Sequence, residues 1–88
     1  MHRELLTPQL IAKFSPALGL ALAQATGRSG MDLALDRAPS GMGRFVAVLG
    51  TEVVVAGKWS MRPTTAWRTF AAAVAARLQE IADDTVWN

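Results

Sequence analysis

Four places in this 88-residue chain carry residue types that could do chemistry, and each is thin. The single histidine, His2, sits at a terminus where fraying and solvation deny it the fixed geometry of a general base or a metal ligand. Asp32 and Asp36 fall on one side of a strand-like stretch, two positions either side of Ala34, and Asp83 and Asp84 are neighbours near the end of a helix-like one. Neither pair has a helper base, a third ligand or an apolar setting that the sequence identifies. The glycine-rich SGMGR, Ser40 to Arg44, would let backbone amides at Gly41 and Gly43 approach an anion, with Arg44 adding charge. It joins two strands and does not lead into a helix, so it reads as a flexible connection. With no cysteine there is neither a disulfide framework nor a thiolate nucleophile. No catalytic residue, metal ligand or cofactor is expected, and the chain reads as a binder.

The elements that must position such a binder can be traced from the termini inward. A chain of this length forms one domain, 1–88, and buries only about 60 to 65% of its unfolded surface, so a partner that covers more has something to offer. Composition is 51% hydrophobic and 18% charged, which excludes disorder and implies an adhesive surface. The net charge of +2 comes from basic residues spread along the chain, so the isoelectric point near 9.9 is a weak pointer to nucleic acid. The absence of cysteine fits a cytoplasmic, reducing setting. ALGLALAQATG, Ala17 to Gly27, has the short apolar run and Ala-Gln-Ala of a signal-peptide cleavage site, but Lys13, Pro16 and Glu4 spoil the approach. No run reaches the roughly 20 apolar residues needed to cross a bilayer, and no membrane partner is expected.

Thr7-Pro8 and Ser15-Pro16 each pair an N-cap residue with a proline at the first helical position, which predicts a kinked N-terminal helix of two segments. The second should run to about Ala25, with Gly27 ending it and GRSG turning the chain. In MDLALDR, Met31, Leu33 and Leu35 alternate with Asp32, Ala34 and Asp36, the pattern of a half-exposed strand. GRFVAVLGTEVVVAGKWSMRP, Gly43 to Pro63, then reads as a hairpin about Gly50-Thr51, with Leu49 facing Glu52 and Val48 facing Val53. On that register Val46, Val48, Val53, Val55, Trp59 and Met61 share one face, and the β-branched residues with a tryptophan mark it as the core. Phe45, Ala47, Leu49, Val54 and Ala56 share the other, which ends in Lys58, Ser60 and Arg62 and would be left for a partner or for the N-terminal segment to cover.

Pro63 ends the strand, and Thr64 or Thr65 should cap an amphipathic helix with Trp67, Phe70, Ala71, Val74, Leu78 and Ile81 on its core stripe. Its outer middle carries Ala72, Ala73 and Ala76 where charge is usual, a smooth face for a second helix unless alanine is there for propensity alone. Glu80, Asp83 and Asp84 make an acidic end, and Trp87 in the tail is either a core plug or an anchor. The fold class predicted is α+β: kinked helix, three-stranded antiparallel sheet, C-terminal amphipathic helix (α-β-β-β-α).

That element order resembles the double-stranded RNA-binding domains. The residues that would carry their phosphate contacts are not matched, since the final helix opens Pro63-Thr64-Thr65-Ala66-Trp67-Arg68, with one basic residue. Two binding readings follow. In the first, a protein partner is met through excess apolar surface: the Phe45, Leu49 and Val54 face, the Ala73 helix face, Met42 at a loop tip, or Trp87. In the second, nucleic acid is met through Arg44, Lys58, Arg62 and Arg68, with Trp59 or Trp67 as stacking platforms. Edge strands commonly carry such basic residues to block aggregation, and the first reading is preferred. A homodimer is expected through the alanine helix face and the Phe45, Leu49 and Val54 sheet face together. In size and type the chain is similar to anti-CRISPR proteins and other small inhibitors by which phages and mobile elements block a host machine.

Overall fold

In the computed structural model, residues 2–14 and 24–86 are described. The chain begins with a strand, β1 (His2–Leu5), and continues into a short helix, α1 (Pro8–Phe14). Thr7 opens α1 as expected: its Oγ1 accepts from Leu10 N–H at 3.2 Å and its carbonyl from Ile11 N–H at 3.0 Å. The predicted kink at Pro16 lies outside the described residues. A second helix, α2, is described over 24–28. It runs past Gly27, and the positive φ of 70° falls on Gly30.

Three strands follow: β2 (Met31–Arg37), β3 (Gly43–Leu49) and β4 (Glu52–Ala56). With β1 they form a four-stranded antiparallel sheet in the order β1-β2-β3-β4. The expected count of three therefore misses β1, whose four residues are all exposed and carry no hydrophobic alternation to announce a strand. The hairpin register is as expected, Leu49 opposite Glu52 and Val48 opposite Val53. Gly50 takes φ 64° in the turn, the conformation a two-residue hairpin asks of its first residue.

Between Val53 and Val55 a bulge shifts the register, so Ala47 pairs with Val55 instead of Val54. Both Val54 and Val55 consequently pack, half-buried, against the main core. That core is built on the sheet face of Met31, Leu33, Leu35, Phe45 and Ala47, with Ile11 from α1 and Trp67, Phe70, Ala71 and Val74 from the C-terminal helix. The face assignment from sequence is thus reversed. Phe45 is 1% exposed and Leu49 is packed against the core, whereas Trp59 is 37% and Met61 66% exposed. Three aromatic rings on one side outweigh the run of valines on the other, because each buries far more apolar area. Val46 and Val48 are still buried, in a smaller cluster with Ala34 on the second face.

After β4 a single 3₁₀ turn (Pro63–Ala66) leads into α3 (Trp67–Val86). Neither threonine caps the helix as expected; the Thr65 hydroxyl donates to the Arg62 carbonyl at 2.8 Å and so fastens the 3₁₀ turn. The predicted helix stripe is the observed one: Trp67, Phe70, Ala71 and Val74 are buried, with Leu78 and Ile81 packed against them. The molecule is a small α+β fold, a four-stranded antiparallel sheet with a C-terminal helix on one face.

Candidate functional site

Strand register builds the most organised polar feature of the molecule. β1 pairs with β2 so that Arg3 lies opposite Asp36, and β2 pairs with β3 so that Asp36 lies opposite Arg44. Three charged residues thus stand in one row across three strands, on the face away from α3. The row continues because the chain after β4 stays alongside β3: Gly43 N–H donates to Ser60 O at 2.8 Å, and Ser60 N–H to Gly43 O at 2.9 Å. The packing around Gly43 is tight, since a Cβ there would stand 3.2 Å from Pro63 Cγ. The bridge holds Trp59 next to Arg44, whose guanidinium carbon lies 4.8 Å from the centre of the indole ring.

Asp36 is the hub of this row and is fully buried. Arg3 grips it side-on, Nε to Oδ1 at 2.7 Å and Nη2 to Oδ2 at 3.0 Å, and Arg44 Nε adds a contact to Oδ2 at 3.3 Å. The Arg3 hydrogen bonds hold the Asp36 carboxyl below the usual carboxylate range against the opposing effect of burial, with Arg44 assisting, and in return raise Arg3 further above its already high value. Asp36 is therefore a fixed anion and not a general acid or base. Arg44 is clamped between that anion and the Trp59 ring, while its Nη groups make no hydrogen bond to a described residue. What the arrangement can do is present a positioned guanidinium and a half-exposed indole to a second molecule.

Met61 is exposed, its methyl group reaching to 3.9 Å from where a side chain on Gly41 would begin. Met42, in the loop between β2 and β3, is half-buried. Among the described residues no three histidine or acidic side chains gather as metal ligands, and no helix is long and apolar enough to cross a membrane. No known family, curated protein or solved structure matches this chain.

The other residues singled out from sequence scatter. Phe45 is core and unavailable to a partner, and Leu49 and Val54 are half-buried against that core, so the apolar partner face expected there is the protein's own interior. Asp36, expected on an exposed strand side with Asp32, is buried while Asp32 is exposed. Lys58, Arg62 and Arg68 are exposed, and Trp67 is buried in the aromatic core and cannot serve as a stacking platform. Lys58 and Ala73 meet at a separate feature, an apolar groove of about 300 Å³ between the β4 edge and α3. Trp87 lies outside the described residues. Arg3 and Asp36 were missed as a site because their meeting depends on β1. Trp59, expected either on the core face or as a stacking platform beside Arg44, is instead surface-exposed with Arg44 over its ring.

Proposed function

We propose that the chain is a non-catalytic protein-binding module that docks on its target through Trp59, Arg44 and Met61, with Met42 at the margin. The observation that carries this reading is the Arg44–Trp59 stack. Tryptophan and arginine are the residue types that dominate binding energy at interfaces, and here both are ordered before any partner arrives. Exposed Met61, two residues along the chain from Trp59, adds an adaptable apolar contact. Such a module acts by occupying a surface of its partner, the mode of an inhibitor of a larger machine, and a cysteine-free chain suits a reducing cytosol.

The nucleic-acid reading is weaker on two grounds. Arg44 already lies over the Trp59 ring, so a base stacking on that side would have to displace it, and Asp36 neutralises one of the two arginines in the row. A net charge of +2 also supplies few phosphate contacts. The deciding experiment captures partners from a cell lysate on the immobilised chain, with and without nuclease. Capture of a discrete protein, insensitive to nuclease and lost in both Trp59→Ala and Met61→Ala, is expected. Nuclease-sensitive capture, or submicromolar binding of an oligonucleotide at about 150 mM salt, would replace the reading with the nucleic-acid one.

A further inference from the structure

β4 is the outermost strand of the sheet, so one row of its backbone N–H and C=O groups faces away from β3, and no described strand pairs with it. Beside that edge runs the groove, mostly apolar, lined by Val55, Ala56, Gly57 and Lys58 on the strand side and by Ala66, Thr69, Phe70 and Ala73 on the helix side. We propose that the β4 edge and this groove are covered by a second copy of the chain, whose own β4 pairs antiparallel across a twofold axis at Val55, joining the two sheets into one of eight strands.

Charge selects the copy. Glu52 and Lys58 stand at the two ends of this edge, each three residues from Val55; both are exposed, and among the described residues neither is in an ion pair. A twofold axis at Val55 places Glu52 of each chain opposite Lys58 of the other, whereas a parallel pairing would set like charges side by side. A bulge and a lysine are devices that keep an edge from pairing with any passing strand. A second copy answers the lysine with Glu52 and brings a strand of the same twist, which makes the contact isologous and closed.

The groove then has a purpose. Because α3 lies on the same sheet face in both copies, the two helices flank the joined strands, and the two grooves merge between them. Ala66, Thr69 and Ala73 are small and uncharged, so the helix side of each groove lets the helices approach, while Lys58 at its strand side meets Glu52 of the other copy. One arrangement thus accounts for an open edge, a groove and a helix wall of mostly small residues. It uses neither Trp59 nor Met61, so it stands or falls separately from the docking surface proposed above.

Light scattering over a concentration series tests it. The mass should rise from the 9.4 kDa of one chain toward twice that value. Lys58→Glu should weaken the dimer by about tenfold or more, and adding Glu52→Lys to that variant should restore it. Val55→Cys should form a disulfide-linked dimer on mild oxidation, because opposed Cα atoms at the axis would lie about 4.5 to 5.5 Å apart. Ala73→Glu should give a monomer that melts as the parent does; if it unfolds instead, the charge-swap pair still decides. A monomer at every concentration overturns the proposal. So does a dimer that is indifferent to charge reversal and does not cross-link through Val55→Cys, which would indicate another surface.

Discussion

The two faces of the sheet are one residue apart along β3 and are held by different physics. Phe45 points to the helix side, where its ring meets Trp67 edge-on at 5.1 Å and stacks on Phe70 at 5.6 Å with the planes 30° apart. Arg44, its neighbour in sequence, points the other way into a row with Asp36 and Trp59. The first face is cohesive through area and shape, and any apolar side chain of similar volume serves it tolerably. The second is cohesive through direction, since a guanidinium moved by an ångström loses its carboxylate. The difference teaches where stability and function can be separated in so small a domain. The interior aromatics bury large apolar areas, and the polar row fixes at the surface the two side chains through which docking is proposed.

Truncation on the cohesive face gives the largest expected effect. Phe45→Ala removes the ring at the centre of the aromatic cluster, where the residue is 1% exposed and touches both Trp67 and Phe70. A loss of about 3 to 5 kcal/mol is expected in a denaturant titration, which can unfold a chain of this length outright. A loss below about 1 kcal/mol, the level of an ordinary surface change, would mean that the valine face carries the core after all.

Asp36→Asn probes the polar face and should cost less. The variant keeps the shape and removes the anion that two arginines share, and a buried charge-assisted contact of this kind contributes about 2 kcal/mol once the partial exposure of both arginines is allowed for. Its pH dependence has a definite sign. Because Arg3 and Arg44 hold the folded carboxyl below its unfolded value of about 3.9, the stabilisation is fully present above that value and is lost as pH falls through the lower, folded one. Parent and variant should therefore differ by a constant amount from neutral pH down to about 4, and converge below it. A gap that instead closes between pH 7 and 5 would show that another group governs the row.

Much of the helix-side face was legible in the sequence and the polar row was not, for reasons that lie in particular residues. The α3 stripe from Trp67 to Ile81 repeats at helical spacing, and Met31, Leu33 and Leu35 alternate over enough residues to mark a strand face. The hairpin register was readable from Gly50-Thr51. Which face of that hairpin is core was not, because both faces are apolar and burial of Ala34, Val46 and Val48 on the second is real. The bulge at Val54 has no sequence signal and moves Val55 to the face opposite the one expected. The row itself depends on β1: HREL has no strand pattern of its own, and Arg3 gains a role only when long-range pairing brings it to Asp36. Local patterns report elements well, whereas a site assembled across three strands is a property of register.

The smallest effect separates the two faces most sharply. The Arg44–Trp59 stack sits at a half-exposed position, where a cation–π contact contributes about 0.5 to 1 kcal/mol. A double-mutant cycle with Arg44→Met and Trp59→Leu should return a coupling of that size for folding, little beside the loss expected for Phe45→Ala. For partner binding the same cycle should return a larger coupling, since either substitution frees the remaining side chain and the entropy of ordering it must then be supplied on association. If the coupling for binding is no larger than that for folding, the stack is ordinary surface packing and pre-organisation is not what the row provides. If it is larger, the residues that contribute least to holding the domain together are the ones through which it acts.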